Sequence, residues 1–201
     1  MTPECQLARF EIRLSGTGGQ GIITLGRILG YGLAIGHGYY VSQTQSYGPE
    51  ARGGASRADL VVSSEPISYP KTETVDLLVA LSQEACYKYY RFIKPHGALI
   101  IDTTLVTQPP SNIYLGLPFT TLAAEKIKVP QAMNAVVLGA VCYYLPFAQR
   151  AVMRKALEES LPAKIAKLNV KAFNLGYTEA EKHFGPSPDA WCPRPAESVL
   201  E

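Results

Sequence analysis

Hydrophobic and polar positions alternate near the start of the chain. Phe10, Ile12 and Leu14 fall on one side and Arg9, Glu11 and Arg13 on the other, which predicts a half-buried strand over Arg9–Ser15. A glycine-rich turn follows, then an apolar run of helical length from Ile22 to Ile35, closed by Gly36 and Gly38. Tyr39–Val41 and Ala58–Ser63 read as further strands. Val75–Leu81 and Ala98–Asp102 are nearly continuous apolar runs, the pattern of central parallel strands covered on both faces. Between them, Gln83–Phe92 has helical composition with Ser82 as its N-cap, and Pro95-His96-Gly97 reads as the turn into the next strand. Strand, helix and strand in succession predict a right-handed crossover.

After Ile113–Leu117 the pattern turns helical, with helices expected over Thr121–Ile127, Ala132–Tyr144, Ala148–Ser160 and Ala163 to about His183. Leu161, Ile165, Leu168, Ala172 and Leu175 form an apolar stripe expected to face the core. The expected fold class is α/β: a three-layer α/β/α sandwich with a mostly parallel sheet and a helical C-terminal part. It spans residues 1–183, followed by a proline-rich irregular tail over 184–201.

Composition narrows the function classes. The 201 residues are 47% hydrophobic and 18% charged, outside the disordered range. A net charge of +2 is too mild to argue for nucleic acid or an anionic membrane surface as partner. The N-terminus lacks a basic start followed by an apolar run, and apolar stretches break before the ~18 residues of a membrane span, so a cytoplasmic protein is expected. Cys5, Cys86, Cys142 and Cys192 are too dispersed for a zinc ribbon or a ferredoxin-type cluster, and the thiols are expected to be reduced. Cys86 and Cys142 lie in apolar helices and should pack as small hydrophobes, while nothing supports a redox role for Cys5 and Cys192. His37, His96 and His183 are scattered and read as surface or capping residues, so no metal site is expected.

Candidate chemistry concentrates in two segments. Gly16-Thr17-Gly18-Gly19-Gln20-Gly21 fits G-x-G-x-x-G between a strand and a helix, where glycines admit a tight turn and the helix start favours an anion such as phosphate. The competing reading is that the glycines only let helix and strand pack closely. An NAD site would also have an acidic residue ~20 positions on. None occurs between Glu11 and Glu50, which leaves a free-standing NAD- or FAD-binding protein as the lesser alternative. The second segment, Gln45 to Ser56, contains Tyr47, Gly48, Pro49, Glu50, Arg52, Gly53 and Gly54. Arg52 there is either a solvated surface residue or a planar fork gripping a carboxylate or phosphate. Asp102-Thr103-Thr104 ends a strand where open α/β sheets bind ligands, though a plain strand-ending Asp explains it equally. Tyr87, Tyr89, Tyr90, Tyr143 and Tyr144 read either as core or as partner anchors. No catalytic acid, base or nucleophile is assigned.

Taken together, the Gly-Thr-Gly-Gly-Gln-Gly turn and the Ser46-Tyr47-Gly48-Pro49-Glu50-Ala51-Arg52-Gly53-Gly54 loop resemble the gamma subunit of 2-oxoacid:ferredoxin oxidoreductases. Ala58–Ser63, Tyr69-Pro70, Val75-Asp76, Ser82–Ala85 and the helix-opening Met133-Asn134 fit the same pattern, from about Ile12 to Leu175. The loop wording is most similar to the 2-oxoglutarate branch. The resemblance implies a complex that decarboxylates a 2-oxoacid on thiamine diphosphate with magnesium, passes the acyl group to coenzyme A, and sends electrons through iron–sulfur clusters to ferredoxin. It implies alpha and beta partners, with clusters on beta or on a small delta subunit, and a gamma chain that helps cover coenzyme A. Gly16–Gly21 and Arg52 would then form a phosphate-facing or subunit-facing edge, with Tyr47–Glu50 and Arg52–Gly54 at an interface.

Overall fold

The computed structural model describes residues 5–46 and 55–192. Six strands, β1 (Phe10–Thr17), β2 (Tyr40–Ser46), β3 (Ala55–Ser63), β4 (Val75–Ala80), β5 (Ile93–Asp102) and β6 (Leu115–Leu117), form one sheet in the order β2-β3-β1-β4-β5-β6. The β1–β4, β4–β5 and β5–β6 pairs are parallel, whereas β3 runs antiparallel to both β1 and β2. The sheet is mostly parallel, as expected, with one reversed strand inserted beside β1.

The helices are α1 (Ile22–Tyr31), α2 (Gln83–Tyr89), α3 (Phe119–Leu122), α4 (Met133–Tyr144), α5 (Arg150–Ser160) and α6 (Ala163–His183). On one face, Ile12, Leu14, Leu60, Leu77, Val79 and Ile100 pack with apolar residues of α1, α4, α5 and α6 in the main core. On the other, Leu78, Ala80, Leu99 and Ile101 pack against Ala85, Cys86 and Tyr89 of α2. This gives the three expected layers.

Three local readings change. The expected helix over Ile22–Ile35 is α-helical only to Tyr31 and continues as a π turn over Gly32–Gly36, where Gly32 and Gly36 lie against Met153 and Val152 of α5. Thr121–Ile127 likewise divides into α3 and a π turn over Ala123–Ile127, ended by Lys128 at φ 64°. Pro95-His96-Gly97 is not a turn before a strand. It lies inside β5 as an irregularity, because the register passes from Val75↔Ile93 to Leu77↔Ala98. A Cβ at Gly97 would come 3.0 Å from the carbonyl oxygens of Val75 and Asp76, so the close backbone approach there requires glycine. Ser82 caps α2 as expected, its hydroxyl accepting from the Ala85 N–H at 3.2 Å.

The stripe assigned to α6 is met in part, because Ala172 is in the main core and Leu161, Leu168 and Leu175 pack against it, but it does not mark the deepest contacts. The residues that α6 buries are Ala166, Ala172, Phe173, Gly176 and Ala180, whereas Ile165 is exposed and Leu161, Leu168 and Leu175 are only partly buried. The cause is close packing on α4. A Cβ on Gly139 would collide with the Phe173 carbonyl oxygen, and one on Gly176 with that of Val136. Small residues, not the large apolar ones, set this contact.

Candidate functional site at the carboxyl edge of the sheet

Strand order locates the site. From β1 the chain crosses by α1 over one face towards β2, and from β4 it crosses by α2 over the other face to β5. The direction of winding therefore reverses between the neighbours β1 and β4, and open α/β sheets bind ligands outside the carboxyl ends of strands at such a point. The glycine-rich turn sits there.

Its six residues divide into two roles. Gly16 and Thr17 complete β1, opposite Ser56 and Ala55. The Gln20 side chain fills the crevice: its Oε1 accepts from the Thr17 N–H at 2.7 Å and its Nε2 donates to the Leu81 carbonyl at 2.9 Å. Gly16 leaves room for that amide, which a Cβ would strike. Gln20 thus ties β1 to the end of β4. Gly19 and Gly21 adopt φ of 87° and 69°, a region open to glycine at little cost. Gly18 and Gly19 form an exposed tip with nothing within 4 Å of a Cβ at either position.

Behind the tip, α1 starts at Gly21 with no side-chain cap and no acidic residue in its first turn. Its first main-chain bond is Leu25 N–H to the Gly21 carbonyl at 3.0 Å, which leaves the N–H groups before it as donors at the positive end of the helix dipole. The start of α4 reaches the same place. The Asn134 amide packs on Gly21 and would collide with a Cβ there, and its Oδ1 is buried without a hydrogen-bond partner among the described residues. Below this contact, a cavity of about 190 Å³ opens between α1, α4, α5 and α6, lined by Thr24, Ile28, Asn134, Leu138, Leu157 and Ile165.

Tyr47, Gly48, Pro49, Glu50, Arg52, Gly53 and Gly54 lie outside the described residues. Their flanks do not: Ser46 pairs with Arg57, and Ala55 pairs with Thr17 of the glycine-rich segment. The segment therefore leaves and re-enters the sheet at the edge that carries the turn.

Other candidates resolve into structural roles. Asp102 is fully buried; its Oδ1 accepts from the Thr104 N–H at 2.9 Å, and its Oδ2 from the Thr120 N–H at 3.0 Å and hydroxyl at 2.5 Å. It pins the end of β5 to α3. His37 is buried, and its Nε2 accepts from the Gln149 N–H at 3.1 Å ahead of α5, a capping role rather than a surface one. Tyr89 and Tyr144 belong to the core, whereas Tyr87 is exposed. Burial pushes the Cys86 thiol up to about 11 and the Cys142 thiol up to about 12, so both are inert packing groups at neutral pH. Cys5 and Cys192, expected as reduced thiols, are instead joined as a disulfide. Among the described residues no three His, Cys, Asp or Glu side chains lie together as metal ligands.

Sequence reasoning missed the contact of Asn134 with Gly21, which links positions distant in the chain. It also missed the Arg13–Asp59 ion pair buried beneath α2, with Nε to Oδ1 at 2.7 Å. Asn134 and Asp59 stood out only as parts of the family pattern, and nothing local pointed to the partners they meet. The dinucleotide alternative gains nothing from the fold. β2 lies one strand away from β1, with β3 between them, so Val41-Ser42-Gln43 is not beside the turn in the manner of a dinucleotide fold.

Comparison with known proteins now assigns the class. The Pyruvate ferredoxin/flavodoxin oxidoreductase family matches residues 11–179, and the chain belongs to that family. It is 44% identical over 178 residues to the 2-oxoglutarate synthase subunit KorC of Methanocaldococcus jannaschii, covering 87% of this chain and 95% of that one. It is 40% identical over 170 residues to KorC of Archaeoglobus fulgidus, covering 83% and 86%. Among solved structures, the gamma subunit of a keto/oxoacid ferredoxin oxidoreductase from Geobacter sulfurreducens superposes with a TM-score of 0.80 at 35% identity, covering 88% of this chain and 98% of that one. No helix among the described residues is long and apolar enough to cross a membrane.

Proposed function

We propose that this chain is the gamma subunit of a cytoplasmic 2-oxoglutarate:ferredoxin oxidoreductase, assembled with alpha and beta chains and with clusters carried on beta or on a small delta chain, and that its carboxyl edge faces coenzyme A. The observation that carries the substrate assignment is the 38–44% identity to four chains that are each a 2-oxoglutarate synthase subunit. Held by the partner chains, thiamine diphosphate with magnesium would supply the decarboxylation chemistry and iron–sulfur clusters the route for electrons to ferredoxin, with coenzyme A as the acyl acceptor.

This chain's own donor set does not suit a cluster. Cys86 and Cys142 are buried in separate cores, and Cys5 and Cys192 are paired with each other. A phosphate group does suit the edge. The uncapped α1 start presents N–H donors, and the open Gly18-Gly19 tip lets an anion approach them. Arg52, from the segment that leaves and re-enters the sheet at this edge, would add a fork of donors. The chain's part is to hold and orient the phosphates, with the redox steps carried by its partners.

The test uses the reconstituted complex. Gly18→Val adds bulk where nothing lies within 4 Å, so it spares the fold while obstructing the tip; Arg52→Ala removes the fork. Each should raise the KM for coenzyme A by about tenfold, the equivalent of roughly one charge-assisted hydrogen bond, with the KM for 2-oxoglutarate unchanged. An unaltered KM for coenzyme A in both variants would refute the phosphate-facing edge. Tagged chain recovered from native extract without larger, brown, cluster-bearing partners would refute the subunit assignment.

A further inference from the structure

The opposite end of the molecule carries a feature that the carboxyl edge does not explain. Cys5 and Cys192, 187 positions apart, bring their Cα atoms to 5.6 Å, inside the range a disulfide spans without backbone movement. Each partner is positioned by contacts of its own. The Cys5 carbonyl accepts from the Tyr39 hydroxyl at 3.0 Å and the Ser64 hydroxyl at 3.2 Å, which anchors the N-terminal segment to the ends of β2 and β3. Cys192 follows Trp191, whose ring is buried edge-on against Phe10 at 4.8 Å and Tyr144 at 5.2 Å. The two sulfurs therefore meet because two separate non-covalent anchorages place them together.

We infer that Cys5 and Cys192 form a redox-responsive clasp that fastens the C-terminal segment, through Trp191, over the amino end of β1. The asymmetry of burial sets the order of exchange: Cys5 is buried and Cys192 only partly so. With a glutathione-type disulfide as oxidant, the Cys192 thiolate attacks one sulfur and releases one glutathione thiolate. The Cys5 thiolate then attacks the Cys192 sulfur of the mixed disulfide and releases the second. Two electrons pass to the glutathione disulfide, and the two cysteine protons end on the glutathione thiols. Reduction reverses each step and leaves Trp191 held only by non-covalent contacts: its ring contacts, its N–H bond to the Pro188 carbonyl at 2.9 Å, and the Cys5 Sγ contact with its carbonyl at 3.7 Å. Cys86 and Cys142 take no part, being enclosed in the two cores.

The full chain contains one tryptophan and four cysteines, which makes the clasp directly readable. Samples equilibrated at graded ratios of reduced to oxidised glutathione are acid-quenched, denatured and labelled with a maleimide. Four labels per chain are expected at the reducing end and two, on Cys86 and Cys142, at the oxidising end. Reduction should shift the Trp191 emission to the red and lower Tm by about 5–10 °C, the usual scale for losing a long-loop disulfide in a chain of this size. Cys192→Ser should abolish both redox responses and melt like the reduced parent. Four labels at every ratio, a stable glutathione adduct on Cys192 with Cys5 free, or a change in labelling with unmoved Tm and Trp191 emission would each overturn the clasp.

Discussion

The two faces of the sheet solve the same problem by different means. Towards α1 and α4–α6, β1 presents Phe10, Ile12 and Leu14, and the helices close over them with apolar side chains and glycine contacts. Towards α2, the same strand presents Glu11, Arg13 and Ser15, all buried. Arg13 donates from Nε to Asp59 Oδ1 at 2.7 Å and from Nη2 to Asp59 Oδ2 at 2.9 Å and Thr72 Oγ1 at 3.0 Å, with its Cζ 5.1 Å from the Tyr89 ring centroid and 5.3 Å from that of Phe92. Beside it, Lys94 reaches Asp76 at 2.7 Å and Glu11 at 3.4 Å. One face gains stability from burial and close packing. The other spends desolvation on an ion pair that fixes which groups must meet.

The strongest way to break the first face is to push its helices apart. Gly176→Val drives a side chain into the Val136 backbone, and Gly139→Val does the same against Phe173. Backbone cannot yield as a flexible side chain would, so each should cost more than about 4 kcal/mol or prevent soluble expression. Chemical denaturation followed by circular dichroism checks this. A loss under about 1 kcal/mol would show that α4 and α6 do not rely on that close approach.

The second face should fail through charge rather than shape. Asp59→Ala leaves the Arg13 guanidinium buried without its carboxylate and should cost about 3–5 kcal/mol. Replacing both partners by apolar residues, Arg13→Met with Asp59→Leu, should recover most of that loss, because no unpaired charge remains. If the double variant is as unstable as Asp59→Ala, the pair is required for its hydrogen bonds to the 72-region loop and not merely tolerated.

The contrast also explains what was legible in the sequence. Apolar runs such as Val75–Leu81 mark strands because burial on both faces demands them, and the layers followed from those runs. The α6 stripe marked a core-facing side but not its deepest line, because Leu161 and Ile165 carry more apolar weight than Ala166, Gly176 and Ala180, although small residues permit the tightest helix crossing. Alternation on β1 predicted a half-buried strand because Arg13 and Glu11 read as solvated; only β3 and α2, distant in the chain, supply the Asp59 and Tyr89 that enclose Arg13. The glycine turn was legible as a turn and as an anion-friendly helix start. Gln20 as its internal tie was not, since its partner Leu81 lies at the end of another strand. β3 was legible as a strand over Ala58–Ser63, but its antiparallel insertion between β1 and β2 was not, because strand order is decided by pairing across the sheet and not by local pattern.

The smallest effect compares the faces through one buried thiol on each. Cys86 lies on the inner side of the single short helix α2, and burial pushes its thiol up to about 11; Cys142 lies inside the multi-helix core, where burial pushes it up to about 12 despite the opposing pull of Arg150. In the unfolded chain both ionise near ~8.5. Above that pH the unfolded state sheds protons that the folded state retains, so stability falls as pH rises. The favourable contribution is whole below ~8.5 and is lost as pH rises through about 11 for Cys86 and about 12 for Cys142. Unfolding free energies of the oxidised chain from urea titrations between pH 9 and 12 should therefore fall less steeply in Cys86→Ala and in Cys142→Ala than in the parent, by up to about 1.4 kcal/mol per pH unit for each thiol. Above about pH 11 the difference in slope from the parent should be larger for Cys142→Ala than for Cys86→Ala. Equal slopes for the parent and Cys142→Ala in that range would mean that the helix-covered core admits water as readily as the thin α2 face, and the distinction between the two sides would collapse at the one depth where both can be titrated.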